Sequence, residues 1–265
     1  MKLKNMPSNG VSFSIASQTS WAPGLETEAD WLAWADGNPT SAERREPDLS
    51  ALPANVRRRA SAAGKMALKV ASACLGVQAS IPVVFASRDG ECARAVDLLQ
   101  ELAGNVPMSP AAFSLSVHNA SAGLLSIARN DHGNNIAIAA GPDTIEHAVI
   151  DACGLLADGA PQVLLVAFDS KLPEVFSAYH GGGQAFAWAW LLQPAQSDCI
   201  RLTWRAQDKN AAGNVDERAD DYADERADDL PVEAAGLQIL RFRLRREPSL
   251  ERRGNGKMWR WSHHA

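Results

Sequence analysis

With 265 residues, 46% of them apolar and 22% charged, the chain has the composition of an ordinary globular protein and material for one large core or two modest ones. No run reaches the roughly 18 to 20 continuous apolar residues of a membrane span, and the opening MKLKNMPSNGVSFS has lysines but no apolar signal core, so a cytoplasmic location is expected. The formal net charge is -5, and Cys74, Cys92, Cys153 and Cys199 lie far apart with no CxxC pair, which argues against a metal site and for reduced, buried thiols.

In chain order, VSFSIAS (11–17) reads as a strand, 54–75 as a helix, IPVVFAS (81–87) as a strand, 91–103 as a helix and 109–129 as another. Ile136 and Ile138 alternate with small residues in a strand over 134–140. Gly141-Pro142-Asp143-Thr144 then breaks that pattern, and Ile145, Ala148, Val149 and Ala152 recur at helical spacing. PQVLLVAFD (161–169) is a further strand, and AFAWAWLLQP (185–194) and CIRLTWRA (199–206) are joined by a turn short enough to pair them antiparallel. Alternation of this kind predicts an α/β fold, a mixed, mostly parallel sheet with helices on both faces.

Charge is segregated along the chain. From Asp208 to Glu233 ten acids face three bases, a net of -7 that leaves +2 for everything else, and DERADD occurs twice, at 216–221 and 224–229. With almost no large apolar residues this stretch is expected to be a solvated, mobile insertion. Beyond it LQILRFRLR (237–245) puts Leu240, Phe242 and Leu244 on one face of an extended strand, and GKMWRWSHHA places Trp259 and Trp261 on one side. From Arg241 to Arg260 eight bases face two acids. The expected organisation is a body over 1–206, the acidic insertion over 207–235, and a basic C-terminal strand and tail over 236–265 that completes the body.

A strand end feeding a helix N-terminus is where many α/β enzymes hold a nucleophile, since the turn lifts one side chain and the helix dipole stabilises an anion there. The turn at 141–144 offers neither Cys nor Ser. Two other segments suggest an esterase or thioesterase: HGGG (180–183) as an oxyanion loop and NASAG (119–123), one residue away from the GxSxG elbow. The two come in the reverse of the esterase order, and Asn119 stands where that elbow needs Gly. His118 and His147 are candidate general bases, although a lone helical histidine is more often a packing residue. Arg57, Arg58 and Arg59 form either a solvated face or a docking patch for an acidic partner.

Five stretches carry a resemblance: VSFSIASQTSWAPGL, VRRRASAAGKMALKVA, IPVVFASRDGE, SPAAFSLSVHNASAGLLSIARND and APQVLLVAFDSKLP. They come in the order of the N-terminal half of β-ketoacyl synthases, and over about 11–195 the chain resembles the short synthase-like proteins of aryl polyene pigment clusters. The resemblance implies a single half of the thiolase-like fold. It places Pro142, which cannot attack or hold a thioester, where synthases carry the acyl-accepting cysteine. The sixty residues after Arg205 leave no room for the second half that supplies the catalytic histidines. No catalytic residue is therefore expected, nor a cofactor, metal or nucleic acid.

A chain that keeps the interface and discards the chemistry resembles a chain length factor, the inactive member of a ketosynthase heterodimer. The implied partners are a full-length β-ketoacyl synthase and an acyl carrier protein. The implied interface is Asn135, Ile136, Ala137, Ile138, Ala139 and Ala140, with His118 and Asn119 beside it, and small residues such as Ala120, Ala122 and Gly123 allow close approach. Alternation along this strand predicts that one of its two faces meets the partner and the other the core. Arg57, Arg58 and Arg59 are the expected carrier-protein contact.

Overall fold

A computed structural model describes residues 9–38, 46–76, 80–176, 183–207 and 233–264. In chain order the elements are β1 (Asn9–Trp21), α1 (Glu28–Ala35), α2 (Ala54–Arg59), α3 (Ala62–Leu75), β2 (Val83–Ala86), α4 (Cys92–Ala103), α5 (Pro110–Ser114), α6 (Ala120–Arg129), β3 (Asn135–Ile138), α7 (Thr144–Ala157), β4 (Val163–Asp169), β5 (Phe186–Pro194), β6 (Cys199–Ala206), α8 (Ala235–Leu244), β7 (Ser249–Arg253) and β8 (Lys257–His264). Both DERADD repeats, and His180 to Gly182 of the HGGG segment, lie outside the described residues.

The eight strands form one sheet in the order β3, β2, β4, β5, β1, β6, β8, β7. Only β2 runs parallel to its neighbours, β3 and β4, and every other pairing is antiparallel. The sheet is mixed, as expected, but the expectation that it would be mostly parallel is corrected. Helices link β1 to β2, β2 to β3, β3 to β4 and β6 to β7, but only around β2 do strands so linked become hydrogen-bonded neighbours, and there the pairing is parallel. The described part of the link from β4 to β5 holds one 3-10 turn, Glu174–Phe176, and the β5–β6 and β7–β8 turns are tight.

Helices cover both faces. On one, α3 and α6 pack over Val83, Phe85, Leu164, Val166, Ala187, Ala189 and Leu191. On the other, α1, α7 and α8 pack over Val84, Leu165, Trp188, Trp190, Leu192, Trp259 and Trp261. β4 and β5 are buried on both sides, and this is why they read as unbroken apolar runs.

Two expected helices are each two. Ser61 interrupts 54–75, its hydroxyl accepting the Gly64 N–H at 2.9 Å to cap α3, and the link 115–119 separates α5 from α6. The expected strand at 237–245 is helix α8. Its apolar residues suit period 2 and period 3.6 alike, and the fold uses the second, burying Leu237, Ile239, Leu240 and Phe242. Arg241 reaches out instead, its guanidinium 4.5 Å from the Trp34 ring and ion-paired with Glu233 at 2.5 Å.

The cysteines are free. Cys74 and Cys153 are buried as expected, and burial pushes the Cys153 thiol up to about 12. Cys92 and Cys199 are only half-buried, which corrects that reading for these two. No helix among the described residues is long and apolar enough to cross a membrane.

Candidate functional site

The strand that leads into the turn at 141–144 is the outermost strand of the sheet. Among the described residues β3 pairs with β2 alone: the Val83 N–H donates to the Asn134 carbonyl at 2.9 Å and the Ser87 N–H to the Ile138 carbonyl at 3.2 Å. Backbone groups of a strand alternate sides, so Asn134, Ile136 and Ile138 point theirs at β2, while Asn135, Ala137 and Ala139 point theirs away from the sheet. Ile136 and Ile138 pack toward α7, and Ala137 lies beside Phe85 under α6. The face of β3 with Ile136 and Ile138 is thus half-buried, while on the other face Ala137 is half-buried and Asn135 and Ala139 are exposed. The face with Asn135 and Ala139 is thus the open one, and beside it the outer edge of the strand presents a short row of N–H and C=O groups turned away from β2.

The turn after β3 is tight and specific. Gly141 has φ +58°, a conformation open to glycine. Thr144 is buried, its hydroxyl accepting the Ala140 N–H at 2.9 Å and donating to the Gly141 carbonyl at 2.8 Å. This engages the one hydroxyl of the turn and leaves no free nucleophile there. The Pro142 carbonyl accepts a hydrogen bond from Arg252 Nη2 at 3.3 Å, and Asp143 Oδ2 accepts the Asn255 N–H at 3.0 Å.

One turn into α7, fully buried Glu146 is ion-paired with Arg252 Nη1 and accepts the Trp261 indole N–H at 3.3 Å. Arg252 Nε donates to Gln238 of α8 at 3.1 Å. The β7–β8 hairpin therefore clamps the turn through one buried charge pair. Sequence reading missed this pair. Its signal was an acid, Glu146, embedded in the apolar stripe of α7. His147 packs edge-on against Trp259 with centroids 5.6 Å apart, and Lys257 Nζ lies 3.5 Å from its Nε2, a packing role.

His118 is brought to the end of β3, its Nε2 3.0 Å from the Ile138 carbonyl, with exposed Asn119 next to it. Its ring rests on Gly90, where a Cβ would stand 2.3 Å from Nδ1 and where φ is +54°. Gly90→Ala is expected to cost about 1–3 kcal/mol in chemical denaturation and to break the His118 contact. A melting curve unchanged from wild type would show that this loop gives way freely.

Ser87, between β2 and that loop, donates to Asp169 Oδ1 at 2.6 Å and accepts the Gly90 N–H at 2.7 Å, and the Asp89 N–H also reaches Asp169. Desolvation pushes the Asp169 carboxyl up to about 6, outweighing the hydrogen bonds that favour its charged form. The folded value lies above that of an unfolded Asp, so the folded chain keeps a proton that the unfolded chain has released. The stability this group contributes is complete below about pH 4 and is lost as pH rises through about 6. Asp169→Asn, whose amide oxygen still accepts from Ser87, is expected to gain on wild type by up to about 3 kcal/mol across that window. Urea unfolding at several pH values measures it, and a constant difference would contradict the desolvated environment.

Beside His118, Phe113 and Val117 are exposed, and Leu99, Leu102, Val106 and Met108 continue an exposed apolar surface over α4 and the link to α5. The esterase reading fails at Ser121. That side chain is buried in α6, and its hydroxyl donates to Glu91 at 3.3 Å rather than standing on a turn. Arg57, Arg58 and Arg59 are all exposed on the last turn of α2, away from these contacts. Among the described residues there is no group of acids, histidines and cysteines able to hold a metal ion.

The family model for the N-terminal domain of β-ketoacyl synthases matches residues 31–262. The chain belongs to this family. Among solved structures it matches a chain of the ketosynthase ApeO in complex with its chain length factor ApeC from Xenorhabdus doucetiae, with 25% identity, a TM-score of 0.77, and coverage of 95% of this chain and 99% of that one. The ishigamide ketosynthase/chain length factor matches at 14% identity and TM-score 0.69, over 96% of this chain and 99% of that one. A β-ketoacyl synthase from Burkholderia phymatum matches at 12% identity and TM-score 0.54, over 76% of this chain but 65% of that one. The fold is thus the thiolase-like ketosynthase fold in a chain the length of the first two. No curated protein sequence matches it.

Proposed function

We propose that this ketosynthase-family chain is a non-catalytic subunit, a chain length factor, that pairs with a full-length β-ketoacyl synthase in polyene, polyketide or fatty-acyl elongation. The observation that carries the reading is the position of β3: the strand that leads into the family's catalytic turn is an unpaired sheet edge, and the turn itself presents Pro142 and an engaged Thr144. Strand pairing across a subunit boundary would satisfy the outward groups of Asn135, Ala137 and Ala139. The exposed apolar residues from Leu99 to Val117 adjoin that edge through His118 and suit the apolar core of a large interface. The match to a complex of a ketosynthase with its chain length factor supports the same reading.

In this arrangement the partner supplies cysteine and histidines, and side chains of both subunits at the interface wall the tunnel in which the acyl chain grows. Arg57, Arg58 and Arg59 are assigned to the acyl carrier protein, whose delivery both subunits would share. The test is incubation of the purified chain, alone and with its cognate synthase, with acylated carrier protein and extender. Condensation is expected only with the pair, and no acyl group is expected on this chain. An acyl adduct on any of its cysteines that is formed and turned over would overturn the proposal.

A further inference from the structure

The sheet is not covered evenly. α3 lies over β1, β5 and β4, but no described helix covers the same face where it continues across β6, β8 and β7. Pairing register lays out what that face carries. Ser12, Arg201, Ser262 and Ser249 form one row across four strands, Gly10, Thr203, Arg260 and Glu251 the next, and Arg205, Met258 and Arg253 a third. Arg201, Arg205, Arg253, Arg260 and Glu251 are all exposed. Four guanidinium groups against one carboxylate thus stand on a surface whose other positions, Met258 apart, are small or hydroxylic, while the opposite side of the same strands buries Ile200, Leu202, Trp259 and Trp261.

We propose that this face is a docking surface for an acidic segment of a protein partner. Arg205 and Arg253 flank Met258 from the two adjoining strands, so their backbones are about 10 Å apart, a spacing that lets two guanidinium forks take carboxylates from one helix or strand. Ser12, Ser249, Ser262 and Thr203 in the neighbouring rows leave room for close approach.

Nucleic acid fits less well. The face has no aromatic side chain for base stacking, Glu251 sits in the middle row, and a chain of net charge -5 repels a long polyanion, whereas a short acidic segment meets only the local field. The surface is distinct from the β3 edge at the far side of the sheet, so its occupation does not depend on synthase pairing.

The experiment is fluorescence anisotropy of the full chain with a labelled helical peptide of glutamate and alanine. Arg205→Gln/Arg253→Gln is expected to weaken binding about tenfold with the melting temperature unchanged. The charge-matched control Arg245→Gln/Arg246→Gln, at arginines already ion-paired with Asp36, Glu247 and Asp198, should leave it within about twofold. Absence of binding, equal loss in both double variants, or displacement of the peptide by single-stranded DNA of equal charge would overturn the proposal. Binding that emerges only after deletion of residues 214–229 would also overturn it, by making the chain's own acids the occupant.

Discussion

Ala137→Pro is expected to leave the protein folded and abolish its capture by the synthase, reducing co-purification about tenfold or more. Proline is tolerated on a sheet edge where its missing N–H faces outward. The bonds from β2 to the Asn134 and Ile138 carbonyls put the Ala137 N–H on that outward side. The substitution removes one hydrogen bond that only a partner strand can accept, and the ring blocks its approach. Stability should stay within about 1 kcal/mol, a shift of roughly 2–4 °C for a domain of this size.

Ile136→Pro is the matching control. It deletes an N–H aimed at β2 and should cost about 3 kcal/mol or more, whatever the partner does. A charged substitution at Ile136 is a poorer probe, because that side chain packs against the core under α7 and a charge there perturbs the core first. If Ala137→Pro co-purifies with the synthase at wild-type yield, the edge is not the contact and the chain-length-factor reading loses its main support.

The parts of this fold that could be read from the sequence are those in which one pattern admits one structure. β4 is seven consecutive residues of VLLVAFD, too short for a buried helix and too apolar for a surface strand. The 141–144 turn was visible because glycine and proline interrupt two clean periodicities. α8 was not, since Leu237, Ile239, Leu240, Phe242 and Leu244 satisfy a strand and a helix equally, and the choice is made by packing: the Trp188 indole donates to the Gly236 carbonyl at 2.9 Å, and Phe242 stacks on His263.

The strand order was equally hidden. Nothing local says that β1, first in the chain, lies between β5 and β6, or that the last two strands extend the sheet beyond it. The basic tail illustrates the same limit. Its arginines look alike in sequence, yet Arg252 is buried as the counterion of an acid 106 residues away, and its neighbours Arg253 and Arg260 face solvent.

Arg252→Leu is expected to be the most destabilising single change in the C-terminal hairpin. It leaves Glu146, fully buried, with the Trp261 indole as its remaining hydrogen-bond donor and removes the donor to Pro142. Breaking a buried pair by deleting one member costs about 3–5 kcal/mol, because the other charge stays desolvated. At roughly 2–4 °C per kcal/mol that is a fall of about 10 °C in melting temperature.

The double variant Glu146→Leu/Arg252→Met separates charge from geometry. With neither charge left to bury, most of the lost stability should return, since apolar replacements of a buried pair are often neutral. The bonds from Arg252 to Pro142 and Gln238 remain absent in both variants, so the turn after β3 stays unclamped. Amide exchange at Ala140 and Gly141 is therefore expected to be faster than in wild type even where stability has recovered, and capture by the synthase to be weaker. A double variant as unstable as Arg252→Leu would place the arginine's contribution in its hydrogen bonds to Pro142 and Gln238. A single variant that melts with wild type would remove the hairpin's clamp on the turn altogether.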